Sequence, residues 1–172
     1  ASYAVSAPER NGTISIKSHT VYLFAKELFH NLLRIGFRNI HLFIHHQSEN
    51  FSAGMPTDIA LKLAAREAIF EFLEKQRGEG WWGKVEMRDY YSQHAKGSDP
   101  FSWIQIHPFM DEQTQRQFPI DHAGKQETSL MMAFCPEGVD MKRHSKNHWF
   151  AQSAKDANME YASQAKRIIL DG

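Results

Sequence analysis

Residues 39–50 read NIHLFIHHQSEN, and this stretch indicates the fold class of the chain. Its first half, which ends at Ile44, is a nearly continuous apolar run. Such a run predicts a strand that is buried on both faces of a parallel sheet. Its second half, from His45 to Asn50, is polar and predicts a loop at the carboxyl end of that strand. Ligands of open α/β sheets bind beyond the carboxyl ends of strands, so this loop is a candidate functional site.

Amphipathic helices are predicted on both sides of this strand. Residues 19–35 carry apolar side chains at helical spacing, with Ser18 as the N-cap and Gly36 just past the last turn. Residues 57–77 show the same pattern. Helices that alternate with strands predict a layered α/β domain.

The second half of the chain is predicted in less detail. Residues 84–91 are interpreted as a second strand, and residues 92–120 as an irregular insert that forms a lid or a subunit contact. A second polar cluster, DHAGKQETS at 121–129, leads into a helix that Pro136 ends. A last helix is predicted over about residues 153–169.

Composition excludes several classes of protein. Hydrophobic residues make up 42% of the chain, and 20 basic residues balance 20 acidic ones, which argues against binding to nucleic acid through bulk charge. Cys135 is the single cysteine, so an internal disulfide is impossible and a reducing compartment is favoured. We expect no signal peptide, because no basic start followed by an apolar core is present, and no run of roughly 18 apolar residues occurs. We therefore expect a cytoplasmic protein with no nucleic-acid or membrane partner.

Several segments together resemble the creatininase family of amidohydrolases. Residues 12–16, followed by the helix that ends at residues 34–37, are similar to the family's GTISI and HGF motifs. Residues 45–50 are similar to NGHYEN, and residues 122–131 are similar to HAGxxETSLML. The segment at 157–162 resembles the family's closing helix. The order and spacing of these segments match over nearly the whole chain.

The resemblance implies a three-layer α/β fold with a mostly parallel sheet flanked by helices. It implies one creatininase-like domain over residues 1–172. It also implies a binding site for divalent zinc, manganese or iron, with a dinuclear centre as one form. The implied substrate is a small-molecule amide or lactam. Creatininase-like proteins assemble into homo-oligomers, so an oligomer, with a hexamer of protomers as one form, is expected.

The chain departs from the family pattern in two places. The family's first metal-binding motif, ExHGxHLPxxxD, has no counterpart, so we expect this domain to need an N-terminal companion chain or a cleaved segment that stays bound. Gln47 aligns with a metal-binding histidine of the family, although glutamine is a poor zinc ligand. Glu49 aligns with a carboxylate that binds metal. His46, one residue upstream of Gln47, is a substitute ligand if the register shifts, and a hydrogen-bonding loop residue otherwise.

The resemblance also implies roles in catalysis and substrate binding. His122 is expected to move protons or polarise the substrate carbonyl, because an imidazole does both near neutral pH. Asp121 either assists His122 or faces solvent. Gln47 is expected to contact the substrate or orient water. Glu127 lies at the start of a helix, where a carboxylate is equally explained by the helix dipole and by substrate binding.

Two aromatic residues are candidates for substrate binding. Tyr91 follows the predicted second strand, where creatinine-hydrolysing relatives carry an aromatic gate. Trp103 lies in the predicted insert and is a candidate lid residue. For both, packing in the core is the alternative. Cys135 lacks the histidine and asparagine that would activate a nucleophilic thiol.

The sequence therefore predicts a metal-dependent hydrolase of a non-peptide C–N amide or lactam bond, formed by one chain of a split or processed enzyme. The rival hypothesis is a degenerate, non-catalytic subunit with a binding or scaffolding role. Gln47 and the absent first motif favour the rival. Relatives act on creatinine, on a pyrimidine nucleotide or on a peptide, and the sequence does not select among these substrates.

Overall fold

The computed structural model describes residues 16–46, 51–144 and 147–171. The chain divides into two compact units, Ala1–Pro108 and Phe109–Gly172. Each unit has a hydrophobic core of its own. The single domain predicted over residues 1–172 stays a prediction.

The first unit contains most of the regular secondary structure. Its helices and strands, in chain order, are α1 (Ser18–Ile35), β1 (Ile40–Ile44), α2 (Pro56–Arg77), α3 (Tyr90–Ala95) and β2 (Ile104–Pro108). Short 3₁₀ turns lie at Trp81–Gly83, Val85–Met87 and Pro100–Ser102.

The two strands form a small parallel sheet. Ile40 lies opposite Ile104, and Ile44 lies opposite Pro108. The chain passes from β1 to β2 through α2, which packs against β2. Parallel strands joined through a helix are typical of α/β proteins. The predicted α/β class and the parallel sheet are thus confirmed.

The core of the first unit lies between α1, α2 and the sheet. Phe29 and Leu33 of α1 are buried, as are Ile69 and Leu73 of α2. Ile104 of β2 completes this cluster. The two buried residues of each helix are four positions apart and therefore lie on one helix face. Several other apolar positions of the predicted stripes face outward.

The first helix ends as predicted. Gly36 has a φ of 122°, a conformation that favours glycine, and its N–H donates to the carbonyls of Leu32 and Leu33. The start differs from the prediction by one residue. Lys17 is the N-cap and Ser18 is the first helical residue. Helix ends commonly shift by this amount.

The prediction that β1 is buried on both faces is wrong. Phe43 is 64% exposed and His41 is also exposed, whereas Ile44 is buried. On the outward face, a side-chain hydrogen bond joins the two strands, because His41 Nδ1 lies 2.8 Å from His107 Nε2. Burial, with a smaller contribution from His41, holds the pKa of His107 below its ordinary value. One side of this strand pair is therefore a polar and aromatic surface.

The predicted strand at 84–91 is also wrong. Residues 85–87 form a 3₁₀ turn, and Tyr90 begins α3. Val85 is 78% exposed, so this stretch lacks the buried alternate positions of a strand. The second strand, β2, lies at residues 104–108, inside the segment 92–120 that was predicted to be irregular.

A charged network joins α1 and α2 at the surface. Lys26 Nζ lies 2.8 Å from Glu67 Oε2 and 2.6 Å from Glu71 Oε1. His30 Nε2 lies 2.7 Å from Glu71 Oε2, and the Tyr22 hydroxyl donates to Glu67. These pairs link the outer edges of the two helices.

We expect Glu71→Gln to lower the free energy of unfolding at pH 7. The Lys26 ammonium holds the pKa of the Glu71 carboxyl below its ordinary value of 4.5, desolvation opposes this, and His30 adds a smaller lowering. The stability from this pair is therefore present above the unfolded-state pKa and lost as pH falls through the lower folded-state pKa. Since the Glu71 side chain is 47% exposed, solvent screening reduces the expected loss to about 0.5–1 kcal/mol.

Urea unfolding at pH 7 and at about pH 3 measures this difference. Glu74→Gln is the matched control, because Glu74 lies on the same helix and forms no ion pair within the described part of the chain. A loss for Glu71→Gln that persists unchanged at the acidic pH would contradict the assignment.

The described residues of the second unit form three helices. They are α4 (Glu112–Gln117), α5 (Lys125–Phe134) and α6 (Met159–Asp171). Its 3₁₀ turns lie at Pro136–Gly138, Met141–Arg143 and Trp149–Asp156. Its core cluster consists of Met110, Phe118, Leu130 and Ala165.

The last helix begins later than the predicted residue 153. Residues 149–156 form the 3₁₀ turn, and α6 starts at Met159. Asn158 explains this start, because its Oδ1 accepts a hydrogen bond from the Tyr161 N–H at 2.9 Å. Asparagine is a favoured N-cap for this reason.

Across the described residues, every helix is too short or too polar to cross a membrane.

Candidate functional site

The first predicted polar loop begins directly after β1. His45 is partly buried and His46 is exposed, and their rings meet edge to face with centroids 5.0 Å apart. Gln47 and Glu49 lie outside the described residues. Imidazole nitrogens are common ligands of zinc and related divalent ions, so the described part of this loop has donors that fit a metal site.

Trp103 lies away from this loop. It immediately precedes β2, and its carbonyl accepts the Ile40 N–H at the amino end of β1. His45 and His46 follow the carboxyl end of β1. The Trp103 ring packs edge to face on Phe72 and lies beneath the Arg38 guanidinium, 4.6 Å from the ring centroid. The structure thus places Trp103 and His46 at opposite ends of the parallel strand pair.

Tyr91 lies on α3 and does not follow a strand. Its side chain is 71% exposed, and its ring meets that of Tyr90 edge to face at 5.4 Å. Its predicted role over a substrate stays a prediction.

The second predicted polar loop caps helix α5. Asp121 Oδ2 accepts the Gln126 N–H at 2.7 Å, and Asp121 Oδ1 accepts the Glu127 N–H at 3.1 Å. The first N–H groups of a helix have no partner within the helix, and a carboxylate there is also favoured by the helix dipole. The Asp121 carboxylate therefore fixes the loop that carries His122 against the start of α5.

Gly124 makes this arrangement possible. A Cβ atom at position 124 would lie 2.5 Å from Asp121 Oδ2 and 2.5 Å from Ser153 Oγ. Ser153 Oγ also accepts the Lys125 N–H at 3.1 Å. Only a residue without a side chain leaves room for both groups at the start of α5.

We expect Gly124→Ala to destabilise α5 by about 2 kcal/mol, because the added methyl group displaces the Asp121 carboxylate or Ser153. Hydrogen exchange of the α5 amides measures this loss and should accelerate by about thirtyfold. Gly83→Ala is the control, because a Cβ at position 83 meets nothing within 4 Å among the described residues. Equal exchange rates in the two variants would show that the close approach at Gly124 is not needed.

The rest of the motif connects α5 to its surroundings. Glu127 Oε2 accepts the Ala123 N–H at 2.6 Å, and Ala123 has a φ of 51°. Ser129 is fully buried, and its Oγ accepts the Asn158 N–H at 3.2 Å, just before α6. Gln126 is buried as well and reaches the Phe118 carbonyl at 3.4 Å. Much of this motif therefore serves the packing of the second unit.

His122 lies in a row of aromatic rings. Its ring centroid is 5.1 Å from that of Phe150, and the Phe150 ring stacks on His148 at 5.3 Å. Phe150 thus connects two histidines that are far apart in sequence. The predicted catalytic residue is therefore partly held by a ring contact, and His148 is a neighbour that sequence analysis missed.

A cavity of about 520 Å³ opens in the second unit. This volume is within the range of small-molecule sites. Its wall includes both predicted and unpredicted polar residues, namely Glu127, Asp140, Arg143, His144 and His148. Sequence analysis missed the last four, although the basic run KRHSKNH at 142–148 was a visible signal for Arg143, His144 and His148.

Comparisons with known proteins point to one family. The sequence matches the Creatininase family profile, described as creatinine amidohydrolase, over residues 2–172. A search of curated protein sequences found no match.

Two solved structures share the fold. A tryptophan-to-phenylalanine variant of creatininase is 21% identical with a TM-score of 0.55, and the match covers 97% of this chain and 65% of that one. A second such variant, of a type II creatininase, is 20% identical with a TM-score of 0.54, and the match covers 94% of this chain and 63% of that one. The chain thus spans slightly less than two thirds of the length of these structures.

Proposed function

Because the chain belongs to the creatininase family, we propose that it is a metal-dependent hydrolase of a non-peptide C–N amide or lactam bond. The observation that carries this proposal is the family match, which extends over residues 2–172. Creatinine and small open-chain amides are the first substrates to test. Since the chain is shorter than the creatininase structures, the activity is proposed for the complete assembly in which it works.

Glu49 and His46 are the proposed metal ligands in this chain, with His45 adjacent. Carboxylate and imidazole donors suit zinc, manganese or iron. A divalent ion, or a pair of them, lowers the pKa of bound water and polarises a carbonyl.

The proposed work of the remaining residues is proton transfer and substrate binding. His122 would take a proton from the attacking water and give one to the leaving nitrogen, since an imidazole does both near neutral pH. Asp121 would position His122, because its carboxylate caps α5 one residue away. Gln47, Tyr91 and Glu127 are the proposed substrate contacts. Trp103 is not proposed as one, because it lies at the opposite end of the strand pair from His46 and packs against Phe72.

Assembly and location are also proposals. We propose a homo-oligomer of protomers, with a hexamer as one form, in the cytoplasm. Neither nucleic acid nor a membrane is a proposed partner, in agreement with the balanced charge of the chain.

A non-catalytic subunit is the second candidate function. The observation that favours it is Gln47, which stands where the family motif has a histidine. A subunit of this kind would bind or scaffold without hydrolysis.

Metal-dependent hydrolysis separates the two candidates. The natively purified protein, with any companion that co-purifies, is treated with a chelator and assayed for the hydrolysis of creatinine and small amides before and after zinc or manganese is restored. Activity that is lost on chelation and regained with metal supports the hydrolase. A folded assembly that stays inactive with either metal supports the non-catalytic subunit.

A further inference from the structure

The cavity of the second unit has one permanent cation in its described wall. Arg143 lines the cavity, and within the described ranges its guanidinium forms no hydrogen bond or ion pair. Arginine side chains of this chain that have structural roles do make such contacts. Arg38, for example, donates to the Leu33 carbonyl, and Arg66 donates to the Phe101 carbonyl. Arg143 is exposed, so its fork of N–H donors is open to solvent and to a ligand.

The two histidines of the wall differ in what they can offer. His144 Nε2 lies 3.0 Å from the Ala151 carbonyl oxygen, which occupies that nitrogen. His148 stacks on Phe150, and its ring nitrogens have no hydrogen bond among the residues that the structure covers. His148 is thus a second donor or acceptor beside Arg143.

The carboxylates of the wall limit the charge of the ligand. Glu127 accepts the Ala123 N–H at 2.6 Å, and Asp140 accepts the Lys142 N–H at 3.0 Å. Both remain negative groups that would repel a doubly charged anion. A guanidinium pairs with a carboxylate through two parallel hydrogen bonds, and one such cation balances one negative charge. The wall therefore disfavours a dianion, while Arg143 can still pair with a single carboxylate.

We propose that this cavity binds the carboxylate of a monoanionic amide substrate and that Arg143 is the residue that selects it. That the ligand contains an amide rests on the proposed hydrolase function. That it contains a carboxylate rests on the cavity alone. The rings of His148 and Phe150 connect the cavity wall to His122, the proposed proton-transfer residue. The apolar residues Met131, Val139 and Met141 would surround the carbon chain between the two ends of the substrate.

Two probes of equal length test this inference. Succinamate carries an amide and a carboxylate, and succinamide carries two amides and no charge. Binding is measured on the full-length protein after metal removal, through the NMR signals of the histidine rings, so that a metal ion cannot hold the carboxylate. We expect the wild type to bind succinamate about tenfold more tightly than succinamide, as one charge-assisted pair would give.

The variants assign this preference to Arg143. Arg143→Gln should abolish the preference, and Arg143→Lys should retain part of it. Lys142→Gln should leave it intact, because Lys142 is an exposed neighbour outside the cavity wall. Equal affinities in the wild type, or a preference that survives in Arg143→Gln, would overturn the inference. If Arg143→Gln does not fold, the wild-type ratio and the Arg143→Lys variant still decide.

This test is independent of hydrolysis. A preference for succinamate that depends on Arg143, in a protein without amidase activity, would support the cavity assignment and reject the hydrolase. The reverse result would reject the cavity assignment alone.

Discussion

Phe29→Ala is expected to lower the free energy of unfolding of the first unit by about 3–5 kcal/mol, the usual cost of removing a fully buried phenylalanine. Phe29 is 1% exposed and packs in the cluster that α1 and α2 form with the sheet. Removing the ring leaves a cavity between two helices that are fixed by the other side chains of the cluster, so the loss is only partly relieved by relaxation.

Phe24→Ala is the matched control, because Phe24 lies on the same helix and is 70% exposed. We expect a change of about 0.5 kcal/mol or less for this variant. Urea unfolding followed by tryptophan fluorescence measures both, since three of the four tryptophans, Trp81, Trp82 and Trp103, lie in the first unit. Comparable losses in the two variants would mean that the buried face of α1 has been assigned wrongly.

His122→Ala is expected to reduce kcat/KM for amide hydrolysis by about 10²- to 10⁴-fold, the usual contribution of a general acid–base residue. The ring of His122 contacts Phe150 but is not part of a core cluster. The variant should therefore keep the stability of the second unit and the metal content of the protein. A steady-state assay of the metal-loaded protein, a melting curve and an elemental analysis give these three values.

His19→Ala is the control for this experiment, because His19 is an exposed residue near the start of α1. We expect it to leave kcat/KM unchanged. A His122→Ala protein that hydrolyses the substrate at the wild-type rate would leave His122 with a packing role only.

The helices of the first unit were predictable from sequence because their periodic pattern is long. Residues 19–35 and 57–77 each repeat an apolar face over several turns, and the structure has α1 and α2 within one residue of these bounds. Gly36 predicted the end of α1 because glycine readily adopts the positive φ that ends a helix. Local signals of this type do not depend on the rest of the fold.

The strands were harder to predict, because a segment becomes a strand only when another segment pairs with it. Residues 104–108 read IQIHP, which is too short to show a period, and they form a strand because they pair with β1. Val85 and Met87 have the same apolar spacing, yet they lie in a 3₁₀ turn without a strand partner among the described residues. The outward position of Phe43 likewise depends on what covers the sheet, which a continuous apolar run does not reveal.

The candidate site shows the same division. The motif at 122–131 was found from sequence, but the motif does not predict the structural contacts that several of its residues make. Asp121 caps α5, and Ser129 binds the N–H that precedes α6. Arg143 and His148 were missed because neither belongs to a motif, and only the folded chain places them on one cavity wall.

The metal content of the purified protein tests the central claim most directly. Elemental analysis of the native assembly is compared with that of Glu49→Gln and of Glu74→Gln, a carboxylate on α2 with no proposed role. We predict at least one zinc, manganese or iron ion per chain in the wild type and in Glu74→Gln, and a clear loss of metal in Glu49→Gln. A folded wild-type assembly that contains no stoichiometric metal would contradict the account.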